Sequence, residues 1–181
     1  VANLLHYGDH DSATWYDMRV EYPKVLGTAD EAASLLFNGE NHKKFWEKYF
    51  HEPFSYLQVK NVKGYTFVLN HFRRGVPDNR DGNQAPGVAE LLASLKLDPA
   101  RPFFYSQHRP PRGTHYAPDS WGQDAGETTR IFARYPNAVV LTGHIHRNAA
   151  DERSVWQGAF TSIGAGTLES AGGRDYRENG A

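Results

Sequence analysis

Val139-Val-Leu-Thr-Gly-His-Ile-His-Arg147 is a short apolar run that reaches a glycine and then carries two histidines one residue apart. Val139, Val140 and Leu141 are β-branched or aliphatic and too few for a helix, so the run reads as a buried strand. Gly143 lets the chain turn where that strand ends. If His144 and His146 stay extended beyond it, their side chains share one face, because strand side chains alternate with period two. Two imidazoles would then converge past a strand's carboxyl end, where open α/β sheets hold their ligands. The same pair also reads as two histidines in a polar loop.

Length and composition bound what surrounds this stretch. The chain of 181 residues suits a single domain, 1–181, with a core that needs no covalent staples. Its charged, glycine-rich end, 171–181, is expected to fray. Cysteine is absent, which excludes disulfides and thiolate zinc sites and leaves any metal to His, Asp, Glu, Asn or backbone oxygen. With 20 Lys and Arg against 21 Asp and Glu, the net charge of −1 makes no electrostatic case for nucleic acid or an anionic membrane. No apolar stretch approaches the roughly 20 residues that span a bilayer. Val1 to Tyr7 lack the regions of a signal peptide. They read as a strand entered in mid-fold, with the expectation that residues upstream are missing.

Outward from the opening stretch, strands and helices alternate. Asp124 to Tyr135 is predicted helical, with Ile131 and Phe132 inward and Arg130 and Arg134 solvated. Pro102 to Ser106 reads as a strand that runs into Gln107-His-Arg-Pro-Pro111. Pro86 opens an amphipathic helix with Val88, Leu91, Leu92 and Leu95. Phe54 to Lys60 and Tyr65 to His71 read as a hairpin turned through Asn61-Val-Lys-Gly64. Asn41 caps a helix whose Phe45, Trp46, Tyr49 and Phe50 form an aromatic core stripe, and Asp30 to Phe37 is a shorter helix. Val1 to Tyr7 is a strand followed by Gly8-Asp-His-Asp11. Beyond the histidines, Val155 to Gln157 and Ala159 to Ile163 are closing strands. The fold class is therefore α/β.

Three loops, at 8–11, 107–111 and 143–147, each set metal-competent side chains directly after a predicted strand. Asp9, His108, His144 and His146 make a set of oxygen and imidazole donors suited to zinc, iron or manganese. His10 lies beside them and could donate a proton to a leaving oxygen.

Gly143-His-Ile-His146 after an apolar strand resembles the G-H-x-H signature of the calcineurin-like metallophosphoesterases. Gly8-Asp-His-Asp11 is similar to that family's G-N-H-[DE] block, and Ser106-Gln-His-Arg-Pro-Pro111 resembles its intermediate strand-His block. Phe160-Thr-Ser-Ile-Gly-Ala-Gly166 looks like the strand after the signature. The order and spacing fit, and the resemblance covers nearly the whole chain.

The resemblance implies an αββα-sandwich metallophosphoesterase-like fold and a phosphatase or phosphodiesterase that attacks phosphorus with metal-activated water. By resemblance, Asp9, His108 and His144 hold one metal, His146 reaches the other, and His10 protonates the leaving group. The complete site takes two divalent transition metals, Mn, Fe or Zn. Two departures accompany this. The family's D-x-H and G-D-x-x-D blocks would precede Gly8, so this chain is expected to be the carboxyl-terminal portion of the domain, incomplete at its N-terminus. It is then expected to hold one metal, with a missing N-terminal segment or a second chain completing the site. Asp9 also stands where the family uses Asn, and it reads alternatively as a turn cap.

Arg109 and Arg147 follow proposed ligands and could grip phosphate oxygens of a phosphoester substrate, or be solvated. His71 ends a strand and could face the site or be structural. Two other readings stay open: a non-catalytic remnant with an incomplete metal site, and a single-metal enzyme with two histidines and one carboxylate.

Overall fold

The computed structural model describes Leu4 and residues 39–72, 84–117 and 123–166. The strand expected at 1–7, apart from Leu4, the loop carrying Asp9 and His10, the helix expected at 30–37 and the tail from 171 lie outside the described residues.

The described chain is mixed α/β, with a six-stranded sheet and a few helices. In chain order the elements are α1 (Gly39–Phe50), β1 (Leu57–Val62), β2 (Tyr65–Asn70), α2 (Val88–Ser94), β3 (Phe103–Ser106), α3 (Glu127–Phe132), β4 (Ala138–Thr142), β5 (Val155–Gln157) and β6 (Thr161–Gly164). The strands lie in the order β1-β2-β3-β4-β6-β5. The central four, β2, β3, β4 and β6, are parallel, and an antiparallel arm closes each edge. The arm at β1 turns on Lys63 and Gly64, both at positive φ (50° and 78°). That primed geometry matches the twist of a hairpin, so the predicted four-residue connection tightens to two residues.

Parallel register aligns side chains into rows. Val68, Tyr105, Val140 and Ser162 stand opposite one another, point to the same face and are wholly buried. Phe103 and Ala138 extend that face, and Val88 and Leu92 of α2 with Phe132 of α3 cover it. Both crossovers advance in the same direction along the sheet, which puts both helices on this side. Phe67, Phe104 and Val139 alternate onto the other face and are half-buried.

Some expectations need correction. Of the aromatic stripe, Trp46 is buried at 1% exposure, while Tyr49 is 63% exposed. The helix leans on the sheet edge through Trp46, which packs on His71 and Phe54, and Tyr49 is turned away from that contact. The helix also starts at Gly39, which places Asn41 inside its first turn instead of at its cap. Helix α2 begins after Gly87, whose φ of 80° breaks the helical path that Pro86 was expected to open. Helix α3 is shorter than 124–135, because Gly126 at φ 93° enters it and Asp124 is engaged elsewhere.

The β5–β6 hairpin depends on one missing side chain. A Cβ at Gly158 would overlap the Trp156 indole, which packs on Phe160 with ring centroids 5.0 Å apart. Gly158→Ala is expected to cost about 1–3 kcal/mol as the ring is displaced. Urea denaturation should show that cost largely removed when the same change is made in a Trp156→Ala background.

Candidate metal centre

The site grows from the register. Ser106 pairs with Leu141, so the residues beyond the two strands, His108 and Gly143, come out side by side. The loops stay joined past the strand ends: Gln107 N–H donates to Leu141 C=O at 3.1 Å and Gly143 N–H to His108 C=O at 3.0 Å. His144 Nδ1 then lies 3.0 Å from His108 Nε2, with the rings 4.8 Å apart and steeply inclined at 72°. Phe72 presses edge-on against His108 at 5.7 Å.

The two histidines of the opening stretch are not extended. His144 has φ 71° and His146 φ 47°, so the turn falls on them and not on Gly143. The physical reason is that Gly143 is still tied through its N–H to His108, in the loop after β3. Between them Ile145 is buried, while His144 is half-buried and His146 exposed. Burying Ile145 directs its two neighbours differently, and the shared face expected from period two is lost. Left-handed φ in a residue with a side chain costs of order 1–3 kcal/mol and persists where surroundings enforce it.

The other site residues separate clearly. His71 is fully buried against Trp46 at 4.6 Å and Phe54 at 5.0 Å between ring centroids. Arg147 lies over the Tyr116 ring at 5.8 Å. Arg109 is half-buried next to His108. Asp9 and His10 lie outside the described residues. Among the described residues, no group of three or more His, Asp or Glu could hold a metal. The structure thus brings His108 and His144 together and not His146.

The donor set fits a divalent cation. At a metal–nitrogen length of about 2.0–2.1 Å, two cis nitrogen ligands stand roughly 3 Å apart, and these two nitrogens are 3.0 Å apart. Without a cation the same spacing is a hydrogen bond, in which one nitrogen donates and the other accepts. At least one ring is then neutral, the form that ligates metals.

A polar scaffold under the pair was not read from the sequence. One step beyond the strand register, Asn70, Gln107 and Thr142 form a buried row. Asn70 Nδ2 donates to Tyr105 Oη, Tyr105 donates to Gln107 Oε1 at 3.1 Å, and Gln107 Nε2 donates to Asp124 at 3.1 Å. Asp124 also accepts from Arg112 N at 3.1 Å, from Gly126 N at 2.7 Å and from the Thr128 hydroxyl. Burial pushes the Tyr105 phenol well above its usual range, which keeps it a neutral donor. Gln84 Oε1 accepts from His108 N at 2.9 Å and Arg109 N at 3.1 Å. The legible signal was the polar residue closing each apolar strand, Asn70 after Val-Leu and Gln107 after Phe-Phe-Tyr-Ser.

On the other side of β4, buried His115 bridges two strands. Its Nε2 meets Thr142 Oγ1 and its Nδ1 meets Ser162 Oγ, each at 3.0 Å. A Cβ at Gly164 would meet the His115 ring at 3.4 Å, so the glycine lets the imidazole lie close to the sheet.

Burial pulls the His115 pKa down from 6.5 to about 4. The unfolded chain therefore binds the extra proton first. Its stabilising contribution is complete above pH about 6.5, is lost as pH falls toward about 4, and levels off below that. The loss is about 3 kcal/mol at most. Denaturation curves measured across this window should show that fall in the native chain and a flatter profile in His115→Gln. No family model matches the chain, and no curated protein or solved structure matches it.

Proposed function

We propose that this chain is part of a calcineurin-like metallophosphoesterase domain, with the αββα-sandwich architecture of that family, and hydrolyses a phosphomonoester or phosphodiester. The observation that carries the reading is the meeting of His108 Nε2 and His144 Nδ1 at 3.0 Å, at the carboxyl ends of adjacent parallel strands. Their sequence blocks, Ser106-Gln-His and Gly143-His-Ile-His, resemble blocks of that family, and the resemblance does not depend on this contact.

In this reading His108 and His144 hold a divalent cation of Mn, Fe or Zn through neutral imidazole nitrogens, with Asp9 adding a carboxylate. When bound, such cations supply Lewis acidity and acidify water for in-line attack at phosphorus. Phe72 limits the freedom of the His108 ring, and the Gly143 to His108 backbone bond keeps the two loops in step. His10 delivers a proton to the leaving oxygen, a step that contributes typically 10²–10⁴-fold. His146 serves a second cation only together with carboxylates from beyond the described residues.

The exposure of His146, with no metal-holding group of three among the described residues, favours a second reading, a non-catalytic metallophosphoesterase-like remnant with an incomplete metal site. Hydrolysis of p-nitrophenyl phosphate and of its bis ester, measured with zinc, manganese or iron and after chelation, separates the two. The proposal expects activity that chelation abolishes and that falls about 100-fold or more in His144→Ala and His10→Ala. A protein that binds metal through His108 and His144 yet cleaves neither ester supports the second reading and overturns the first.

A further inference from the structure

Arg109 follows His108 directly, and its main chain is held from both sides. Its N–H donates to Gln84 Oε1 at 3.1 Å, and its C=O accepts from Gln107 Nε2 at 2.6 Å. Both amides are buried and anchored in turn: Gln84 Nε2 donates to Asn70 C=O at 3.1 Å, and Gln107 reaches the Asp124 carboxylate. The half-buried side chain therefore leaves the backbone from a fixed point beside a proposed ligand.

Its Nε–H is buried and has no hydrogen-bond partner among the described residues. An unmet donor on a permanently charged group is costly, more so than on a neutral one. Arg153 shows the contrast: its guanidinium meets both carboxylate oxygens of Asp151. An arginine whose main chain is held and whose Nε–H is short of an acceptor among the described residues suits an oxyanion that arrives with a ligand, because the planar guanidinium fork matches two oxygens of phosphate or carboxylate.

We infer that Arg109 binds a phosphoryl oxyanion of the substrate beside the His108–His144 pair, with Gln84 and Gln107 as the clamp that positions it. The choice of phosphoryl over carboxylate rests on the phosphoester reading above. The residue neutralises charge on the substrate and leaves metal binding to the histidines.

Inorganic phosphate titrated into the full chain, with and without zinc, tests this by calorimetry. Arg109→Met should weaken phosphate binding about tenfold or more while zinc affinity stays unchanged, as expected when a charge-assisted hydrogen bond is lost. Arg109→Lys keeps the charge without the fork and should recover only part of the loss, and it serves where Arg109→Met fails to fold. Equal phosphate affinity in wild type and both variants overturns the inference, as does a wild-type chain that binds zinc but no phosphate. Acetate binding as tightly as phosphate overturns the phosphoryl assignment. Phosphate binding that depends on Arg109 in a chain that binds no zinc keeps the inference and removes the metal reading instead.

Discussion

A parallel sheet ends its strands together, and at that edge the ladder of backbone bonds stops while the core below is still dry. Polar groups there must find one another. In this fold they do so along a chain that finishes at Asp124. A carboxylate only accepts, so Gln107 must present its amide nitrogen to Asp124 and its oxygen to Tyr105, and Tyr105 must in turn receive from Asn70. One buried acceptor thus sets the direction of every bond back to β2. The same carboxylate receives Arg112 N and Gly126 N, which closes the loop after β3 onto the entry to α3. The position of His108 depends on this arrangement through Gln107 and Gln84, although neither touches its ring in the bonds they make.

The histidine loop is the strained counterpart of that ordered edge. His144 and His146 both occupy the left-handed region, as does Tyr116, whose hydroxyl donates to Asn148 C=O at 2.7 Å just beyond them. Histidine tolerates this region better than β-branched residues do, but it still carries a cost. The burial of Ile145, the Gly143 bond to His108 and the imidazole pair oppose it. A chain free to relax would leave these φ values, so the geometry of the pair is imposed by its surroundings.

The strands and their places were largely legible, because Val139-Val-Leu, Phe103-Phe-Tyr and Val68-Leu are apolar runs punctuated by Gly, Pro and Asn. The nearness of His108 and His144 was legible too, since it needs only that both follow strands of one parallel sheet. The geometry of His146 was not. Period two holds while a strand is paired, and the bond from Gly143 to His108 in the loop after β3 moved the turn one residue further than the glycine suggested. The scaffold of Gln84, Gln107 and Asp124 was hidden for another reason: side-chain amides give no periodic signal, and the bonds from Gln84 to Asn70 and Arg109 and from Gln107 to Asp124 span 14 to 25 residues. Helix ends were misplaced where an αL glycine, Gly87 or Gly126, overrode a favourable residue nearby.

His71 and His108 show how position alone fails to make a site. One step past the Leu69 and Ser106 pairing, Asn70 matches Gln107, so the two histidines that follow are equivalent in register. Their fates differ because of what covers each strand end. Past the end of β2, Trp46 of α1 and Phe54 enclose the His71 ring within the aromatic contact range, and it is wholly buried. Past β3 the edge of Phe72 is pressed to His108, and the ring stays half-buried with a second imidazole in reach. The covering helix therefore decides which of two equivalent histidines is structural. The half-buried pair of His108 and His144 lies past the ends of β3 and β4, the two strands whose loops carry the sequence blocks on which the functional reading stands.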